Sequence, residues 1–230
     1  MSFFSSRWVK APEHVRELDP TELPAGFRAA GAAAGLKPDG LDVGVLFCES
    51  ADAVSAARFT TNARVGAPVI VSREAALDRL RAVVANSGCS NVGDGERGIE
   101  TARAMQREAA EALGIEPDQV GIASTGVIGW ELPRDKVLAG IRECATAIDA
   151  NQPGGSDPFS RAILTSDSGP KRATLEVGLP SGRSIRLAAQ AKGAGMIAPR
   201  HATMFCFIET DAAMEQHTLD LLTGVCVKRS

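Results

Sequence analysis

Short apolar runs built from small residues alternate along this chain with segments of helical period, and that alternation restricts it to a layered α/β architecture. A Gly/Ala-rich stretch, PAGFRAAGAAAGLKPDG, leads into β-like runs at Leu41–Cys48, Val54–Thr60, Pro68–Ser72 and Arg81–Ala85, whose small residues predict strands buried on both faces. Ile99, Ala102, Met105, Ala109, Ala112 and Leu113 recur at three- and four-residue spacing and predict an amphipathic helix over Gly98–Leu113, ended by Gly114. The run Val120–Ala123 enters a Gly-punctuated turn, Ser124–Gly129, and a second helix is expected over Pro133–Ile148. Beyond the loop Asn151–Ser156, a short helix is expected at Asp157–Leu164. Two strands follow, Ala173–Leu179 and Ser184–Lys192, joined by the turn Pro180–Arg183; then come an apolar strand, Met204–Ile208, and a helix from Ala212 onward. Residues 1–24, which carry Pro12, Pro20 and Pro24, read as an extended arm or loop.

Composition narrows the functional classes. The chain has 230 residues, 44% of them hydrophobic, enough for one large domain or two small ones. Its 25 basic and 28 acidic residues are well mixed, so there is no cationic stripe to follow a phosphate backbone, and nucleic acid is not an expected partner. Tyrosine is absent and aromatics are only 4%, which removes the stacking platforms of a single-strand binder. Five scattered cysteines with no C-x-x-C pair indicate neither a disulfide framework nor a zinc site, and no metal site is expected. The first twenty residues hold charges throughout and no later run approaches the length of a membrane span, so a cytoplasmic location is expected and no membrane association.

Four segments carry residues with chemical potential. Thr203 stands between a glycine-rich turn and an apolar run. A threonine hydroxyl needs a base, and cleavage just before it would supply its own α-amino group, whose ordinary pKa is about 7.7–8; a structural Thr before a strand is the plain alternative. In Ser124–Gly129, backbone N–H groups and the Thr125 hydroxyl could hold an oxyanion; an ordinary strand-to-helix turn would look the same. Gly126 and Gly129 alone do not make a dinucleotide fingerprint, and no P-loop lysine follows. Lys192, followed by Gly193 and Gly195, could meet a carboxylate where the backbone approaches a ligand, or be a surface lysine before a turn. Thr165-Ser166-Asp167 offers polar groups to an amino acid's ends, or ends a helix. His14 and His217 read as solvated, and His201, two residues before Thr203, shares its side of an extended chain without having to touch it. Cys206 reads as core; Cys89, in ANSGCSN, is open.

Together these segments resemble the ornithine acetyltransferase (glutamate N-acetyltransferase) family of arginine biosynthesis. The resemblance rests on PAGFRAAGAAAGLK, VVANSGCSN with GDGERGIETA, IASTGVIG, AILTSDSGPK and AKGAGMIAPRHATMFCFIETDA, which follow the family's order from about Pro24 onward. It implies a precursor that cuts itself between Ala202 and Thr203 into an α segment, residues 25–202, and a β segment from residue 203, here 203–230, the two assembling as a hetero-oligomer. It implies Thr203 as nucleophile, Thr125 and Gly126 as oxyanion hole, and Thr165, Lys192 and Thr203 as substrate-contacting residues. The reaction so implied moves an acetyl group from N2-acetylornithine to glutamate through an acetyl-threonine, with no cofactor; some members also accept acetyl-CoA. The implied fold is a layered αββα sandwich similar to the N-terminal-nucleophile hydrolases. Ala194, His201 and Cys89 depart from the family's usual residues, and members run well over a hundred residues further past the nucleophile, which implies an incomplete, truncated copy of the fold. A related self-cleaving aminopeptidase or amidase, and a non-catalytic subunit, are the competing readings.

Overall fold

The computed structural model describes residues 4, 10–151, 154–194 and 203–229. Two four-stranded sheets carry the fold. The first has the order β2 (Phe27–Ala32), β3 (Val43–Cys48), β4 (Ala82–Asn86), β5 (Val120–Ser124); the second runs β1 (Val15–Glu17), β6 (Lys171–Gly178), β7 (Ser184–Lys192), β8 (Phe205–Thr210). Every pairing is antiparallel except β4 with β5, which the long helix α2 (Gly95–Leu113) connects as a crossover. Helices α1 (Ala67–Glu74) and α3 (Arg134–Asp149) complete the layer with α2. Together the three bury Val71, Ala102, Met105, Ala109, Val137, Ile141 and Cys144 against Ala30, Ala32, Val43, Val45, Val84, Val120 and Ile122 of the first sheet.

The opposite face of that sheet meets α4 (Asp157–Ala162). Phe159, fully buried, packs with Leu46, Ala85 and Ile163 and reaches Phe207 of β8 edge-on, with ring centroids 5.3 Å apart. Small residues permit this crossing. A Cβ on Gly44 would stand 2.9 Å from the Phe159 ring, and one on Gly31 would stand 2.5 Å from the Pro158 carbonyl oxygen. The expectation of small residues where strands are covered on both faces holds for β3, whose six residues are all buried.

Two of the expected strands are not strands. Pro68–Ser72 lies in helix α1: its apolar run reads equally as β, but eight residues are too few for a helical period to declare itself, and Pro68 in the first turn suits a helix start. Ser72 explains the choice, since its hydroxyl donates to Ile122 O at 3.0 Å and accepts from Ile122 N–H at 2.8 Å, covering the open edge of β5. Val54–Thr60 has no regular structure; Ser55 N–H and hydroxyl bond the Asp78 and Leu77 carbonyls instead of a neighbouring strand. Conversely, the Gly/Ala-rich segment forms strand β2, and the arm contributes β1, three residues paired with β6. Helix α2 closes at Gly114 as expected, in the left-handed conformation at φ 65°, its N–H bonding Ala110 O and Glu111 O. The final helix, α5 (Gln216–Arg229), buries no residue and is held to the Val54–Thr60 segment by Arg58, whose guanidinium bonds the Asp220 carboxylate at 2.7 Å and the Asp220 carbonyl at 2.8 Å.

Since Phe159 bridges the two sheets, Phe159→Ala is expected to lower unfolding stability by about 3–5 kcal/mol, measured by urea denaturation. An exposed control such as Arg134→Ala should change it by less than about 0.5 kcal/mol.

Candidate active site

The site is built where the ends of β4, β5 and β7 converge. The loop after β4 and the turn after β5 are sewn together by backbone bonds. Thr125 N–H donates to Asn86 O at 3.0 Å, Val127 N–H to Gly88 O at 3.0 Å, and Ser90 N–H to Val127 O at 2.8 Å. Asn86, fully buried, adds Nδ2 to Cys89 O at 2.8 Å, and Asn91 N–H bonds the Ser124 hydroxyl at 2.9 Å. Gly126 is what lets the two segments touch. Its φ of 135° is open to glycine, and a Cβ there would lie 2.4 Å from the Gly88 carbonyl carbon. Among the described residues the Gly126 N–H has no acceptor, while its neighbours on both sides do. A free N–H in a rigid turn beside a buried hydroxyl, that of Thr125, is a pair of donors able to receive one oxygen atom.

Lys192 closes the site from the second sheet. It is buried at the end of β7, and its ammonium donates to Thr125 Oγ1 at 3.1 Å. Burial lowers its pKa, the nearby Asp167 works against that, and Lys171 adds to the lowering. Asp167 organises the neighbouring loop: its Oδ1 accepts from Gly193 N–H at 2.9 Å and from the Lys171 ammonium, its Oδ2 from Thr165 N–H at 3.3 Å. Burial pushes the Asp167 pKa up, but those hydrogen bonds outweigh it and hold the carboxyl below the usual range. Thr165 itself is exposed on this loop.

Thr125, Gly126, Lys192 and Thr165 are thus linked through Asp167 and one another. Thr203 is exposed and stands two residues before β8, whose first residue, Phe205, lies opposite Lys192 in the ladder. Ala202 and His201 fall outside the described residues. Sequence reasoning missed Lys37. Its ammonium donates to Leu164 O at 3.2 Å, next to Thr165, and its side chain lies where a Cβ on Gly88 would be, 2.6 Å away. The only signal was its place at the end of the AAGLK stretch. Cys89 is buried and its thiol reaches the Trp130 carbonyl at 3.4 Å; burial raises its pKa. Among the described residues no cluster of three His, Cys, Asp or Glu could hold a metal ion, and no helix is long and apolar enough to cross a membrane.

A fold of this shape with this arrangement has known counterparts. The ArgJ family model matches residues 28–230. The arginine biosynthesis bifunctional protein ArgJ of Symbiobacterium thermophilum is 46% identical over 202 residues, covering 85% of this chain and 48% of that protein. The Bacillus subtilis ArgJ is 39% identical over 207 residues, covering 89% and 49%. The crystal structure of ArgJ from Bacillus halodurans superimposes with a TM-score of 0.71 at 34% identity, covering 83% of this chain and 98% of that one. Ornithine acetyltransferase from Mycobacterium tuberculosis, solved in complex with ornithine, gives 0.70 at 34% identity, covering 83% and 100%. The class is therefore that of the ornithine acetyltransferases. This chain belongs to the ArgJ family, and it spans about half the length of the full relatives it matches.

Asp167→Asn is expected to weaken three contacts at once, destabilising the protein at pH 7 by about 1–3 kcal/mol. Because the folded carboxyl has a lowered pKa, the wild-type advantage should be full above the unfolded carboxylate value of about 3.9 and vanish as pH falls through the folded one. Urea midpoints of both proteins at pH 7 and pH 3 check this: the gap should be smaller at the lower pH.

Proposed function

We propose that the chain carries the catalytic half of an acetyltransferase that moves an acetyl group from N2-acetylornithine to glutamate within arginine biosynthesis, in the cytoplasm. The observation that carries this reading is the Gly126 N–H, without an acceptor among the described residues, beside a Thr125 hydroxyl that Lys192 holds at 3.1 Å, at the end of the strand β8 pairs with. Cleavage of the Ala202–Thr203 bond frees the Thr203 amino group. That amino group takes the proton of Thr203 Oγ as the oxygen attacks the acetyl carbonyl carbon, and the carbonyl oxygen becomes an oxyanion on Gly126 N–H and Thr125 Oγ. Collapse breaks the C–N bond; the amino group returns its proton to the departing ornithine nitrogen, leaving acetyl on Thr203. Glutamate's amine then attacks the ester by the reverse sequence. Lys192 and the Thr165 loop contact the substrate, and no cofactor enters, with acetyl-CoA as an alternative donor.

Two comparisons support the reading. The Mycobacterium tuberculosis relative was solved with ornithine, the product expected of the first half-reaction. A stretch amounting to 83% of this chain fills 98% and 100% of the two crystallographic chains, whereas a similar stretch fills only about half of the full relatives, as a precursor divided into two polypeptides would. Residues 25–202 would then be the α segment, 203–230 the start of the β segment and 1–24 an arm, within an αββα fold completed by chain beyond the two sheets described above.

Intact-mass spectrometry after exposure to N2-acetylornithine tests this. Two fragments meeting at Ala202/Thr203, with one acetyl on the Thr203 fragment, are expected; Thr203→Ala should give a single unacetylated mass. Thr125→Val should slow acetylation roughly 100- to 1000-fold. A wild-type mass that stays whole and unacetylated would favour a non-catalytic subunit, and acylation by a peptide amide alone would favour an amidase.

A further inference from the structure

Strand β8 is an edge strand whose sequence, FCFIET, carries apolar residues on both faces. Phe205, Phe207 and Glu209 face inward, while Cys206 and Ile208 are exposed, Ile208 by 64%. A slip of one residue would move every side chain to the opposite face, turning Cys206 and Ile208 inward in place of Phe205 and Phe207 and losing the Phe207–Phe159 ring contact. A buried polar pair adds to that difference. Glu209 is 2% exposed and Gln190 of β7 is fully buried, and Gln190 Nε2 donates to Glu209 Oε2 at 3.0 Å. Slipped by one in either direction, Glu209 would leave the face on which Gln190 lies, and the Gln190 amide donors would be left unmet.

The pair is chemically unfinished if Glu209 is ionised. Two acceptors, Glu209 Oε1 and Gln190 Oε1, are buried with no partner among the described residues, one on each partner of a single hydrogen bond. One proton on Glu209 Oε1 satisfies both, by turning the carboxyl into a donor toward the amide oxygen and closing a two-bond acid–amide ring. Among the described residues no cation on that face is free to do this instead. On the same face of the sheet Arg172, opposite Gln190, is taken up by Asp157 and Ser160, and Lys192 is held at Thr125. Arg186 pairs with Glu22 at 3.2 Å. Cys206 lies on β8's other face.

We propose that Glu209 and Gln190 form a proton-closed acid–amide pair that holds β8 docked against a one-residue slip and thereby positions Thr203, two residues ahead of the Phe205–Lys192 pairing. The positioning of Thr203 as a nucleophile rests on the function proposed above; the pair itself does not. Burial pushes the Glu209 pKa up from 4.5 to about 8, in keeping with a carboxyl that stays neutral in the folded strand. The sign follows: an undocked β8 releases the proton above 4.5 and the docked one keeps it to about 8, so undocking becomes easier with rising pH across that window and levels off above it.

Hydrogen exchange of the β8 amides, corrected for intrinsic rates, tests the pair without any need for activity. In the wild type, β8 opening should rise by up to about tenfold per pH unit between pH 5 and 8, relative to β6. In Glu209→Gln, whose amide supplies the missing donor at every pH, that slope should be gone. Glu209→Ala, which leaves Gln190 unpaired, should open β8 more at all pH values; if it does not fold, Glu209→Gln still decides. Identical slopes in wild type and Glu209→Gln would overturn the proposal. Thr203 acetylation measured alongside should be closer to wild type in Glu209→Gln than in Glu209→Ala at pH 7, and should lose less than wild type to β8 undocking as pH rises toward 8. Equal pH profiles would overturn the positioning role. Absence of acetylation in every protein, with the exchange slopes as expected, would instead sink the transferase reading and leave the pair standing.

Discussion

The candidate site hangs on one buried carboxyl. Asp42, wholly enclosed at the entrance to β3, accepts the backbone N–H of Ala34 at 2.7 Å, Leu36 at 2.6 Å and Lys37 at 3.0 Å, while its own carbonyl takes the Ser87 N–H at 2.8 Å. Those four bonds fold the irregular segment after β2 back over the loop after β4. Leu36 and Lys37 are thereby laid on Gly88, and Gly88 is the residue against which Gly126 is pressed. Three segments far apart in sequence are so held in contact before any side chain of the site is considered. Without that carboxyl, three amide groups would be left in a poorly solvated loop, each costing on the order of a kilocalorie or more.

How much of this could be read from the sequence depends on whether the pattern is local. The 3.6-residue period of α2 and α3 is long enough to show, and β6 and β7 alternate around an obvious turn, so their positions emerge directly. Helix α1 does not, because eight residues rich in Val and Ile look like a strand until Ser72 is seen against the β5 edge. Strand β2 is hidden for the opposite reason: Gly and Ala, which local preference disfavours in strands, are there because α4 leaves no room for larger side chains.

The site was legible only as far as motifs carry it. Thr125 and Lys192 are 67 residues apart, and nothing in their spacing says that one will donate to the other. Asp167 stood in a segment marked as polar, but its work, gathering Gly193, Lys171 and Thr165, is a matter of tertiary geometry. Lys37 gave no chemical signal at all, since an ordinary lysine after a small-residue stretch reads as surface. Glu209 is a similar case: in sequence it is one more acid near the end of a strand, and only the ladder with β7 puts it inside.

Charge balance ties the site's geometry to its chemistry. Two ammonium groups, Lys192 and Lys171, lie about one carboxylate, Asp167, which Lys171 contacts directly and Lys192 does not. Lys192 is therefore the cation left to act inward, and it does so through the Thr125 hydroxyl. By donating to Thr125 Oγ1 it leaves the hydroxyl hydrogen free to point elsewhere, and it polarises that O–H into a stronger donor. Under the function proposed above, a hydroxyl so polarised, beside a Gly126 N–H with no acceptor among the described residues, would favour the charge that develops on an oxygen over a neutral carbonyl. On that reading, the burial that makes Lys192 costly to keep charged in the resting protein would be the same burial that makes its charge effective once a negative oxygen appears.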